Sequence, residues 1–154
     1  MGDFNLSNNP KITELYLYLV QHSNSDTELW YEGHSEVNYI VSTFTENDIE
    51  ELVNDLKDWK PPYLTNLSYA LTAEDDRGNP ALKSYIYANI FLVLSDHHIL
   101  NVMDDFIYLK NSNQMIIPII ERMKGKLNQF DFLNYDKVSL GVCREIIDEL
   151  QRSL

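Results

Sequence analysis

The longest apolar stretch of the chain lies between Asn79 and Ser95 and predicts a buried helix. Asparagine followed by proline is typical of a helix start, because the asparagine side chain accepts a hydrogen bond from a free amide and proline needs no donor there. After Lys83, no charged residue follows until Asp96. A helix that is apolar nearly all round is buried on several sides, and about fifteen residues are too few to span a bilayer. We therefore expect this stretch to form the central helix of the fold.

Apolar residues also recur at helical spacing on both sides of this stretch and predict an all-helical chain. The further helices are expected to begin near Pro10, Ser25, Thr45, Pro62, Asp96, Asn113 and Asp136. Pro118 predicts a kink in the penultimate helix, and Gly125 predicts its end. Ile107 and Val142 are expected to face the core in the helices that contain them.

Residues 24–44 allow three interpretations. Ser25 and Glu28 have the spacing of a capping box, and the apolar residues that follow continue a helical stripe. Gly33 can divide that stripe into two helices. The part from Val37 to Phe44 is also β-branched and aromatic enough to form a strand. The segment is therefore expected to be one helix, two helices or a helix with a strand.

The predicted helix starts alternate as pairs, and the pairs open roughly every 34 residues. Stacked helical hairpins show this spacing. No residue motif repeats with it, so the signatures of tetratricopeptide and ankyrin repeats are absent. We expect a single all-helical domain over residues 1–154, built either as an irregular HEAT-like stack of hairpins or as an irregular helix bundle.

The formal net charge of −12 belongs entirely to the first half of the chain. Residues 1–76 hold fifteen acidic and three basic residues, whereas residues 77–154 hold nine of each. Between Ile12 and Leu56 there are ten acidic residues and no Lys or Arg. Such a field repels nucleic acid and anionic membranes and attracts a basic protein, which is the partner we expect. The alternative is that the acidic surface serves only solubility.

The acidic residues after Thr45 are the strongest candidates for partner binding. Like charges on successive turns of one helix cost a few tenths of a kcal/mol per pair, so a chain that keeps them has a use for them. Two aromatic residues near Glu28 would add anchors of the kind that dominate interfaces, with core packing as the alternative. The predicted partner-binding residues are Trp30, Tyr31, Glu32, Glu46, Glu50, Glu51, Asp55, Asp58, Asp75, Asp76, Asp104 and Asp105.

Residues with catalytic potential are few. His97, His98 and Tyr108 lie on the polar side of one predicted helix, but adjacent histidines on a helix diverge by about 100° and chelate one ion poorly. Cys143 lies beside an apolar stripe and is expected to fill the core. We expect no metal, no cofactor and no enzymatic activity. A single cysteine and the lack of a secretory signal favour a cytoplasmic location.

In size, acidity, irregular helical layout and lack of a catalytic motif, the chain resembles the immunity proteins of bacterial polymorphic toxin systems, including contact-dependent growth inhibition. The resemblance covers the whole chain but rests on no motif, so it assigns no functional residue. It implies a binding protein that neutralises a cognate basic toxin domain, often a nuclease, by presenting carboxylates where the nuclease binds phosphates. A helical adaptor or regulatory scaffold that binds a peptide in a groove is the first alternative. An enzyme with a site between His97 and Tyr108 is the second.

Overall fold

The computed structural model describes most of the chain as helix. The described residues are 8–22, 27–73, 77–95, 106–111, 116–130 and 137–153, without the side chains of 27–33, 111, 130, 137–139 and 153. The helices are α1 (Pro10–Gln21), α2 (Thr27–Ser42), α3 (Glu46–Asp55), α4 (Pro61–Thr72), α5 (Pro80–Val93), α6 (Ile117–Phe130) and α7 (Lys137–Ser153). Short 3-10 helices cover Leu56–Asp58 and Phe106–Asn111. Every described element is helical, which confirms the all-α fold class.

Helices α1 and α5 begin in the same way, as the sequence predicts. The side-chain oxygen of Asn9 accepts a hydrogen bond from the amide of Lys11 at 3.0 Å, and that of Asn79 accepts one from Ala81 at 2.9 Å. A proline stands directly after each asparagine, where the helix needs no amide donor. These local signals therefore fix the starts of both helices without help from the tertiary fold.

Helix α2 is one continuous helix, so Gly33 does not divide it and no strand forms between Val37 and Phe44. Its apolar stripe is buried at Val37, Ile40, Val41 and Phe44. The stripe packs against α4 and α1. Burial of this face outweighs the β-propensity of its residues, which is a weak preference that depends on context. The expected capping residue, Ser25, lies outside the described residues.

Helix α5 links the first four helices to the elements that follow it. Helices α1 and α2 contact α3 and α4, which in turn contact α5. Helix α5 contacts α6 and the 3-10 helix Phe106–Asn111, and that 3-10 helix contacts α7. These contacts are those of an all-α helical bundle. The hairpin stack expected from the spacing of the helix starts stays a prediction.

Helix α5 lies in the middle of this arrangement, as predicted. Nine consecutive residues, Lys83–Phe91, are buried, so the helix has no solvent face over that length. The ring of Phe91 lies edge-on to Phe106 with centroids 5.1 Å apart. The hydroxyl of Ser84 donates to the carbonyl of Tyr108 at 2.9 Å, so a polar residue of the buried helix is satisfied by its neighbour.

Helix α6 differs from the sequence prediction at both ends. Pro118 lies in its first turn, where it opens the helix rather than kinking it. The helix continues through Gly125 to Phe130. Glycine inside a helix costs about 1 kcal/mol, whereas full burial of a leucine contributes about 2 kcal/mol. Leu127 is fully buried, and its packing keeps the chain helical beyond the glycine.

Two apolar residues predicted to face the core are exposed. Ile107 is 60 % exposed because it lies in a 3-10 helix, where three residues per turn place Phe106 and Leu109 on the buried side. Val142 is 51 % exposed because α7 buries a different line, which includes Leu140 and Cys143. The burial of Cys143 confirms its expected place in the core.

Candidate partner-binding surface

The predicted acidic residues of α3 and the turn after it, Glu46, Glu50, Glu51, Asp55 and Asp58, are called the acidic face here. They do not form one stripe. Ile49 is fully buried and marks the inner line of α3. At about 100° per residue, Glu46 and Glu50 lie on one side of this line, and Glu51 and Asp55 lie on the other. Glu51 lies roughly 160° from the inner line, near the outermost surface of α3, whereas Glu46 and Glu50 lie on one flank and Asp55 lies on the other.

One flank of α3 is joined to α1 by a polar cluster. The ammonium of Lys11 lies 2.9 Å from Oδ2 of Asp48. The side-chain amide of Asn9 donates to Oδ1 of Asp48 at 2.7 Å and to Oε2 of Glu51 at 3.0 Å. Asn47 also donates to Glu51, at 3.2 Å. Two of the carboxylates in this segment thus hold the first hairpin against the second.

Asp48 also completes the start of α3. Its carboxylate accepts a hydrogen bond from the amide of Thr45 at 2.9 Å, while the Thr45 hydroxyl accepts one from the amide of Asp48. The Thr45 amide, followed by the Lys11 side chain, holds the pKa of Asp48 well below its usual range. Asp48 is therefore held in place as an anion within the fold. Because Lys11 neutralises part of its charge, it attracts a basic partner less strongly than a free carboxylate would.

On the other flank of α3, which contacts the central helix, Glu50 lies close enough to Tyr85 for its charge to act on the phenol. Burial and then the charge of Glu50 raise the pKa of Tyr85, so the phenol remains protonated and can donate. Glu50 is exposed to solvent even so. It therefore serves the fold while still presenting charge at the surface.

Glu46 and Asp58 are the members of the acidic face that the fold leaves to solvent. Both are exposed, and neither has an ion pair or hydrogen bond from a side chain in the described part of the chain. Asp55 is half-buried. Glu46 and Asp58 are consequently the residues whose charge can be changed with the least effect on the fold.

Several predicted site residues cannot be placed. Trp30, Tyr31 and Glu32 lie in the part of α2 whose side chains are outside the description. Four aspartates and two histidines lie outside the described residues altogether: Asp75, Asp76, Asp104, Asp105, His97 and His98. The structure therefore brings together the predicted residues of α3 and its following turn, and the remaining predicted residues stay predictions.

Tyr108 is the described member of the face considered for catalysis. Burial raises the pKa of its phenol to about 12, so it is protonated near neutral pH. Its ring lies edge-on to Tyr87 with centroids 6.3 Å apart. These contacts account for Tyr108 as a packing residue at the edge of the core.

A surface groove along α1 and α2 is the feature that sequence reasoning missed. Its volume is about 430 Å³. It is lined by Pro10, Thr13, Glu14, Leu17, Tyr18, Gln21, Glu36 and Ile40. A signal was available, because Leu17 is an apolar residue opposite the buried stripe of α1 and stands among polar ones. Leu17 is 43 % exposed on the groove wall.

The described residues contain no group of three or more His, Cys, Asp or Glu side chains placed to hold a metal ion. In the same part of the chain, no helix combines the length and the apolar character needed to cross a membrane. Comparison with family models, with curated proteins and with solved structures found no match to the chain. The functional argument therefore rests on the residues themselves.

Proposed function

We propose that the chain is a binding protein that neutralises a basic protein partner through its acidic face, as an immunity protein neutralises a toxin domain. A nuclease is the expected class of partner, because its phosphate-binding site is basic and accepts carboxylates as substitutes for phosphates. The chain contributes no catalysis in this proposal. Its action is to occupy the partner's active site or the approach to it.

The observation that supports this proposal is the separation of charge. All of the net charge of −12 lies in residues 1–76, and the acidic face belongs to that half. Lys11 is one of only three basic residues in that half, and its ammonium lies 2.9 Å from Oδ2 of Asp48. Charge of one sign on one part of a surface raises association rates with an oppositely charged protein by about 10- to 1,000-fold. The outer carboxylates are available for such a partner.

The test begins with the full chain as bait in a lysate of the native host, with bound proteins eluted by increasing salt and identified by mass spectrometry. A basic protein released by salt is then purified, and its dissociation constant is measured. We expect Glu46→Lys combined with Asp58→Lys to raise that constant about tenfold at low salt, and less at high salt, because screening weakens exposed charges. If the partner is a nuclease, an equimolar amount of the chain should abolish its activity.

The matched control is Glu145→Lys, which changes an exposed carboxylate of α7 in the neutral half of the chain. Each single reversal, Glu46→Lys or Glu145→Lys, changes the net charge by the same amount. If both weaken binding equally, only net charge matters and the acidic face is not the binding surface. A partner that is neutral and resists high salt would contradict the proposal and favour the helical adaptor.

A further inference from the structure

We propose that the groove along α1 and α2 binds an amphipathic segment of the partner in which an apolar side chain is flanked by basic ones. This inference rests on the proposed function for the basic character of the partner. It adds a second point of contact with its own chemistry. The occupant is a helical peptide segment whose apolar face meets Leu17 and whose Lys or Arg side chains meet Glu14 and Glu36.

The groove exposes an apolar side chain that does not pack in the core of the fold. The buried stripe of α1 is formed by Ile12, Leu15, Tyr16 and Leu19. Leu17 lies on the opposite side of the helix and is 43 % exposed. The lining also includes Tyr18 and, on α2, Ile40. Apolar side chains grouped in a concave surface are typical of sites that bind another molecule.

The charge of the groove is of one sign. Glu14 and Glu36 line it, both are exposed, and no Lys or Arg is among the lining residues. Lys11 is the nearest Lys or Arg to Glu14 along the chain, and its ammonium contacts Asp48 and the carbonyl of Thr43 instead. Asp48 is different, because Lys11 neutralises it within the chain. Basic side chains of a partner would form ion pairs with Glu14 and Glu36, as Lys11 does with Asp48.

The charge of Glu36 acts on Tyr18, which also lines the groove. Burial and then the nearby charge of Glu36 raise the pKa of the Tyr18 phenol. Glu36 therefore lies near the phenol of Tyr18, within the groove that both residues line. The ring of Tyr18 also contacts His22, with the two rings tilted and their centroids 4.4 Å apart.

The length of the groove fits a short helix. Its α1 wall runs from Pro10 to Gln21, and eleven helical steps of 1.5 Å span roughly 16 Å. A helical segment of about twelve residues covers this length. Its volume of about 430 Å³ is within the range of sites that enclose several side chains. Helices bind such grooves by an apolar face at positions i, i+3, i+4 and i+7.

The experiment uses the full chain and a fluorescently labelled synthetic peptide of about twelve residues, with leucines on one helical face and arginines beside them. A peptide of the same composition in scrambled order is the comparison. We expect the amphipathic peptide to bind at least roughly fivefold more tightly, since only it presents a continuous apolar face. It should also shift the backbone amide signals of α1 and of Glu36–Ile40.

Matched variants locate the site. Leu17→Ser removes the apolar contact, and its control is Ile107→Ser, which changes an exposed apolar residue elsewhere. Glu36→Gln removes a groove charge, and its control is Glu145→Gln, which changes an exposed carboxylate of α7 outside both proposed surfaces. We expect each groove variant to weaken peptide binding at least roughly threefold and each control to leave it unchanged within about twofold.

Equal binding of the scrambled peptide, or amide shifts confined to α3, would overturn the groove proposal. These outcomes are independent of the proposed function, because the peptide assay does not use the cellular partner. Conversely, a salt-released basic partner whose binding is unaffected by Leu17→Ser and Glu36→Gln would leave the proposed function standing and overturn only the groove.

Discussion

The ammonium of Lys11 lies 2.9 Å from Oδ2 of Asp48 and joins the first helical pair to the second. Lys11 also donates to the carbonyl of Thr43 at 2.7 Å, at the end of α2. One base of the acidic half is thus used inside the chain, at the junction of three helices. Among the described carboxylates of that half, Glu14, Glu36, Glu46, Glu50, Glu51 and Asp58 are exposed.

We expect Asp48→Asn to destabilise the fold by about 1–3 kcal/mol at pH 7, because a charged hydrogen-bond acceptor and an ion pair are lost together. The pKa of Asp48 is lowered in the folded state, so its stabilisation is complete above the unfolded value of about 3.9 and is lost as the pH falls below it. Urea unfolding at pH 7 and pH 3 measures this. A gap between wild type and variant that is as large at pH 3 as at pH 7 would contradict it.

Lys126 caps the end of the central helix from α6. Its ammonium donates to the carbonyl of Leu92 at 2.8 Å and to that of Leu94, and lies 5.6 Å from the centroid of the Phe91 ring. The last carbonyls of a helix have no partner within the helix and attract cations. We expect Lys126→Met to lower the free energy of unfolding by about 1–3 kcal/mol.

The control for this change is Lys124→Met. Lys124 is partly exposed and lies 3.7 Å from the exposed carboxylate of Asp148. Surface ion pairs of this kind contribute about 0–1 kcal/mol. Thermal unfolding of the two variants side by side should show the larger loss for Lys126→Met. Equal losses would mean that the contact with α5 adds nothing beyond a surface charge.

Two apolar residues of α7 differ in burial although the sequence pattern predicts that both face the core. Ile147 is fully buried, whereas Val142 is 51 % exposed although both belong to the predicted apolar stripe. We expect Ile147→Ala to cost about 2–5 kcal/mol through the cavity it leaves. Val142→Ala should change stability by no more than about 0.5 kcal/mol. Denaturant unfolding measures both, and a large loss for Val142→Ala would contradict the placement of α7.

Two glycines should respond to alanine in opposite directions. Gly125 lies inside α6 with no atom within 4 Å of an added Cβ, so Gly125→Ala should stabilise the fold by about 0.5–1 kcal/mol. Gly78 has a φ of +82° and an added Cβ would lie 3.2 Å from Cε of Lys83. Gly78→Ala should therefore destabilise it by about 1 kcal/mol or more. Melting temperatures of the two variants give the signs directly.

The sequence was sufficient for features that depend on neighbouring residues. The helix starts at Asn9, Thr45 and Asn79 are caps in which the partners lie two or three residues apart. The buried central helix could be predicted because it is apolar on nearly all sides, so its burial does not depend on which side faces a given neighbour.

The sequence was insufficient where a distant residue decides the outcome. Asn9 and Glu51 are 42 positions apart, and nothing local indicates that they meet. A helical projection of α3 shows where its carboxylates point but not which neighbouring helix each one contacts. The same reason explains the groove, which exists only because α1 and α2 lie side by side. The continuation of α6 beyond Gly125 likewise depends on the tertiary burial of Leu127.

Because of the position of α5, the point at which the charge of the chain changes does not divide it into two parts that fold independently. The charge divides the chain near residue 76, just before the helix whose residues Lys83–Phe91 are buried by elements from both halves. A fragment that ended at that boundary would expose the apolar surfaces of α3 and α4 that α5 covers. The acidic half should therefore unfold or aggregate when it is produced alone, and the two halves should unfold together in the intact chain.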